Sequence, residues 1–122
     1  MKIKEVSELC GLSIDTIRYY ERIGLIEVKK TDYFKYYDNL SVETLIVIKK
    51  LRLAGLTISE IKKLNSIDKE VNELSAKDVD TVSKIVNRAI TTADVKLQEI
   101  MEAKQLLEKM KTKLQKVHYG NC

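Results

Sequence analysis

A chain of 122 residues is sized for one compact domain, or for a small domain carrying an extended element. Charged residues make up 33%, proline is absent and glycine occurs four times, a helix-rich profile with few forced turns; no apolar run is long enough to span a bilayer, and the two cysteines, 10 and 122, lie at opposite ends. The 22 basic and 18 acidic residues leave a net charge of +4, compatible with a polyanionic partner but too small to identify one.

The first element is predicted over residues 3–12, where Ile3, Val6 and Leu9/Cys10 recur at helical spacing. Gly11 permits a positive φ and a sharp stop. Ser13 then stands at an N-cap position, its hydroxyl able to take an orphan amide of the next helix. That helix covers about 14–22. Ile14, Ile17 and Glu21 share one face, and Asp15, Arg18, Tyr19 and Arg22 share another. Two adjacent tyrosines point about 100° apart, so Tyr20 is expected to pack beside Ile17 while Tyr19 turns outward with Arg18. Helix, glycine turn and capped second helix form a helix-turn-helix pattern. Its outer face suits phosphate or base-edge contact through a phenol and a guanidinium, and equally suits a merely solvated helix face.

After Gly24, Ile26 and Val28 alternate, Lys29-Lys30 and Thr31-Asp32 follow, and Phe34 and Tyr36 alternate again. This predicts a small β-hairpin without the usual Asn-Gly or Asp-Gly tip. With basic residues between its aromatics it reads as a wing, or as an ordinary hairpin edge defended by lysines. Residues 40–54 form an apolar helix with Ser41 as cap and a wide face of Leu40, Leu45, Ile48, Leu51 and Leu53; Gly55 closes it. Thr57 and Glu60 then spell a capping box for a helix carrying Ile58, Ile61 and Leu64. Residues 66–77 are polar with thin periodicity and are read as a linker, with a helical turn around Val71–Leu74.

From Asp78 the pattern becomes regular. Val79, Val86, Ala93, Ile100, Leu107 and Leu114 repeat every seven residues, as do Val82, Ala89, Lys96, Ala103, Met110 and Val117. Lys96 alone breaks the stripe. The run 79–117 predicts a coiled-coil helix about 58 Å long, too long to bury its stripe on the first module. It calls for a second copy of the chain, with Val86, Ala93, Ile100, Leu107, Met110 and Leu114 as the dimerisation residues. The alternative is an intramolecular hairpin bent at 91–94. A short tail, 118–122, follows.

Charge is uneven. Residues 1–40 hold seven basic and seven acidic groups, whereas 84–116 hold eight basic and four acidic. Nucleic-acid contact by the first module therefore rests on placed groups: Arg18, Arg22, Lys29, Lys30 and Lys35. His118 and Cys122 supply only two ligands where a zinc site needs about four, so no metal or other cofactor is expected. Cys10 occupies an apolar-periodic position, as a small core residue. With one histidine and no phosphate loop or nucleophile arrangement, the chain is not expected to be an enzyme. No secretory leader is visible and the cysteines lie at opposite ends, so a cytoplasmic location is expected.

The stretch IKEVSELCGLSIDTIRYYERIGLI resembles the start of the MerR family of bacterial transcription regulators. The matching signature positions are Gly11, Ser13, Thr16, Arg18, Tyr19, Tyr20, Glu21, Gly24 and Leu25. The resemblance continues through FKYYDNLSVETLIVIKKLRLAGLTISEIKKL and covers residues 1 to about 65; the long helix is similar by pattern alone. It implies a mainly α fold: a winged helix-turn-helix followed by a helical pair that forms a second wing, together the DNA-binding domain over 1–65, and, after the linker at 66–77, a long coiled-coil dimerisation helix over 78–117, paired antiparallel in a homodimer. It implies DNA contacts from Thr16, Arg18 and Tyr19, with Lys35 where the family wing usually has arginine and Tyr37 where it has a phosphate-touching tyrosine. Phe34 replaces a more usual tyrosine, and the wing tip is shorter. The implied partner is double-stranded promoter DNA, bent or untwisted so that RNA polymerase engages both promoter elements. Two other readings use the same features: a DNA-bending architectural or excision-type accessory protein, and a coiled-coil protein-interaction module.

Overall fold

The computed structural model describes residues 1–68 and 75–120. Helix α1 spans Ile3–Cys10 and ends on Gly11, whose φ of 71° is the left-handed conformation that lets its amide return to the Ser7 carbonyl. A side chain there would also meet the Lys49 ammonium, 2.6 Å from the position of a Cβ. Helix α2 spans Ile14–Arg22 and starts as expected: the Ser13 Oγ accepts the Thr16 amide at 3.1 Å.

The wing is a two-stranded antiparallel ribbon, β1 (Lys29–Lys30) and β2 (Lys35–Tyr36), in the register Lys29 to Tyr36 and Lys30 to Lys35. Its tip closes without Asn-Gly. The Thr31 amide and hydroxyl both donate to the Phe34 carbonyl, and the Phe34 amide donates back to the Thr31 Oγ1. The expected apolar alternation does not bury Phe34 or Tyr36, because nothing packs on the outer side of so short a ribbon; both are about half exposed. Beyond the ribbon Tyr37 turns inward, and its amide and carbonyl pair with the Met1 carbonyl and α-amino group at 2.8 and 2.7 Å.

Helix α3 spans Asn39–Leu53 and α4 spans Ile58–Asp68. Two expectations about α3 are corrected. Its N-cap is Asp38, not Ser41. Ser41 lies inside the first turn, buried, donating its hydroxyl to the Glu27 carbonyl and to Asp38. Its buried stripe is Ser41, Val42, Leu45 and Ile48, while Leu40 and Leu53 are 68% and 77% exposed. A helix can turn only one face inward: Leu40 sits on the far side, and Leu53 is the last residue of the helix, where the stripe runs out. The Thr57–Glu60 capping box forms in both directions, at 2.9 and 3.1 Å.

Helix α5 runs unbroken from Ala76 to Gly120, 45 residues and about 68 Å. There is no bend at 91–94. Residues 66–68 continue α4 and 76–77 open α5; the helical turn expected around Val71–Leu74 lies outside the described residues, as does Cys122. The core joins all five helices: Val6 and Cys10 from α1, Ile17 and Tyr20 from α2, Leu45 and Ile48 from α3, Ile61 from α4, and Ile85 and Ala89 from the start of α5. Each buried Ile or Leu contributes roughly 1.5–3 kcal/mol, so a head this small draws a real share of its stability from those first turns of α5. No helix among the described residues is long and apolar enough to cross a membrane.

Candidate nucleic-acid interface

The outward face of α2 follows from its capped start. Thr16 is half buried, its hydroxyl 2.8 Å from that of Ser13. Arg18, Tyr19 and Arg22 are exposed, whereas Tyr20 is buried at 6%. The adjacent tyrosines therefore divide as the helical geometry requires. Their rings touch at a tilt of 48°, with centroids 5.9 Å apart. The Arg22 guanidinium lies over Tyr19, 5.6 Å from the ring centroid, so a cation–π contact steadies the exposed phenol.

The wing lies beside this helix, joined to it through Glu21. The Lys35 ammonium is 2.9 Å from one oxygen of that carboxylate, and the Tyr37 hydroxyl donates to the other at 3.1 Å. Burial, the hydrogen bond to Glu21 and the Glu21 charge together push the Tyr37 phenol up to about 12, with the Arg18 charge offsetting part of the shift. Lys29 and Lys30 are exposed; Lys29 lies 3.9 Å from Asp38. The Asp38 carboxyl is held low by the Ser41 amide and hydroxyl.

One residue expected at the contact face points inward. Tyr37 is 2% exposed and its hydroxyl is committed to Glu21, so it supports the wing from behind instead of facing outward. The exposed tyrosine of the pair is Tyr36. Arg18, Tyr19, Arg22, Lys29 and Lys30 remain on the surface; Lys35 is half exposed and ion-paired. Glu21 was not among the expected site residues, although its position in the signature directly after the tyrosines signalled it. No cluster of three or more potential metal ligands occurs among the described residues.

The family model described as MerR HTH family regulatory protein matches residues 1–66. The chain belongs to the MerR family. Its N-terminal half is 42% identical over 65 residues to the mercuric resistance operon regulatory protein of Bacillus cereus, an alignment covering 52% of this chain and 49% of that protein. It is 32% identical over 109 residues to the HTH-type transcriptional regulator HmrR of Rhizobium leguminosarum bv. viciae, covering 88% of this chain and 81% of that one. The chain thus spans about half of the first relative and four fifths of the second. The fold matches the crystal structure of HiNmlR, a MerR family regulator lacking the sensor domain, bound to promoter DNA: the TM-score is 0.69 at 17% identity, over 88% of this chain and 80% of that one. The MerR pattern of winged helix-turn-helix followed by a long helix accounts for every element described above.

Proposed function

We propose that this MerR family chain is a homodimeric, sequence-specific regulator that grips promoter DNA with two heads and bends or untwists it. The observation that carries this reading is the face built by α2 and the wing: Arg18, Tyr19 and Arg22 in a row, lysines 29 and 30 alongside, and acidic Glu21 neutralised behind them. A guanidinium on a capped helix can fork onto a guanine edge, while lysines and phenols meet phosphate oxygens and fix the register. Thr16 and Lys35 flank the row and complete the proposed contact set. The HiNmlR neighbour, a MerR family regulator bound to promoter DNA, supports the same use for this fold.

Dimerisation is proposed through α5. Ile100, Leu107, Met110 and Leu114 are each more than half exposed, and Val86 is 40% exposed, along a helix that none of the described residues covers there. Ala93 is partly covered. The end of the helix is basic at Lys109, Lys111, Lys113 and Lys116, whereas its start is balanced, Lys77 and Lys84 against Asp78 and Asp80. Antiparallel pairing keeps the two lysine-rich ends apart; parallel pairing would stack them. RNA polymerase would then engage the reshaped promoter.

Selection of bound duplexes from random and genomic DNA tests the function. The expected winners are inverted repeats of fixed spacing lying across promoters, bound with a log–log salt slope of several units. Bent DNA enriched without sequence preference would instead indicate an architectural protein, and salt-independent association would indicate protein recognition.

A further inference from the structure

The heptad stripe of α5 is broken at Lys96, and the structure gives that lysine a partner. Its ammonium donates to the Leu53 carbonyl at 3.1 Å, at the C-terminal end of α3. Two turns earlier Arg88 forms an ion pair with Glu60, the capping residue of α4. Between them the Thr92 methyl lies 3.4 Å from where a Cβ on Gly55 would stand, and Ile85 and Ala89 are buried in the head. Residues 85, 88, 89, 92 and 96 fall within about 100° of one another around the axis, a single face of the helix over three turns. The turn they grip is braced from its own side, because the Arg52 guanidinium donates to the Leu56 carbonyl at 2.8 Å.

An apolar contact tolerates sliding and rotation. A bond to one carbonyl oxygen and another to one carboxylate do not, so the two cations define both tilt and azimuth of α5 against the head. The lever is long. A tilt of about 10° at Lys96 displaces the far end of the helix, about 36 Å away, by about 6 Å. That is nearly two base-pair steps of a duplex whose turn of about 10 pairs spans about 34 Å.

We propose that Arg88 and Lys96 are positioning residues that fix the angle at which the rod leaves the head, and thereby set the half-site spacing the dimer accepts. This rests on the dimeric DNA-binding reading above. Neither residue touches DNA in it.

The test uses the full chain and synthetic operators that share the same two half-sites but differ by one or two base pairs between them. The variant pair is Lys96→Met and Glu60→Gln; glutamine preserves the capping box while removing the charge that holds Arg88. The wild type is expected to lose at least about fivefold in affinity for each base pair of altered spacing. The double variant is expected to flatten that preference to within about twofold while an isolated half-site binds as before. A variant that keeps the wild-type spacing profile overturns the proposal. Wild-type protein that binds none of these operators removes the DNA-binding reading itself, a distinct outcome. If the double variant fails to fold by circular dichroism, Arg88→Gln leaves the Thr57–Glu60 cap intact and carries the same expectation and the same refutation.

Discussion

Tyr19 and Tyr20 show how one helical step of about 100° separates an outward ring, proposed for recognition, from a packed one. The arginine beside them belongs to the outward side, and its removal leaves the buried tyrosine and the dimer helix untouched. Arg18→Ala is expected to weaken specific operator binding by about 1–3 kcal/mol with the oligomeric state unchanged, measured by gel shift and sedimentation. An unaltered footprint would remove Arg18 from the contact set. At this scale the signature residues were legible in the sequence because helical periodicity sorts them. Tyr37 was not, for a physical reason: with strands of two residues there is no alternation long enough to show which of Tyr36 and Tyr37 turns inward. Only the Glu21 carboxylate, reached from across the wing, settles it.

The helices differ in how their starts are held. Helix α2 uses the neutral hydroxyl of Ser13, α3 the carboxylate of Asp38, and α4 both, the Thr57 hydroxyl taking the Glu60 amide and the Glu60 carboxylate taking the Thr57 amide. Both carboxyls titrate lower than ordinary ones, Asp38 chiefly through the Ser41 amide and Glu60 chiefly through the Thr57 amide with help from Arg88. A folded pKa below the unfolded value means the native state favours the ionised form. The stability this adds is present above the unfolded carboxylate range near about pH 4 and is lost as pH falls through the folded values. Thermal melts are therefore expected to hold between neutral pH and about pH 5 and to drop below about pH 4, with Asp38→Asn flattening part of the drop. A melting profile of identical slope in that variant would contradict the assignment. The Ser13 and Thr57 caps were readable from residue type and spacing. The buried face of α3 was not, because apolar residues occur nearly all round it, and only packing against α1 chooses Val42, Leu45 and Ile48 over Leu40 and Leu53.

For the molecule as a whole, the seven-residue repeat announced a rod and the structure supplies one, unbroken over 45 residues. The repeat could not show that the first turns of the rod belong to the head. Ile85 lies off the stripe, and Lys96 looked like a flaw in it until Leu53 was placed opposite. Past Lys96 the large apolar side chains of the helix are exposed, and in the proposed dimer a second copy would cover them. Leu107→Asp puts a charge into that seam and is expected to raise the dimer dissociation constant by at least about tenfold, with operator affinity falling alongside. A monomeric variant that still protects both half-sites would refute pairing through α5.

The bare stripe also bears on the life of a newly made chain. From Leu97 to Val117 eight large apolar side chains are each more than half exposed. A solitary copy in a crowded cell would offer that strip to chaperones and proteases, while the proposed pairing would hide it. On that reading survival and pairing would be one event, and stray subunits would be culled before they could occupy half an operator.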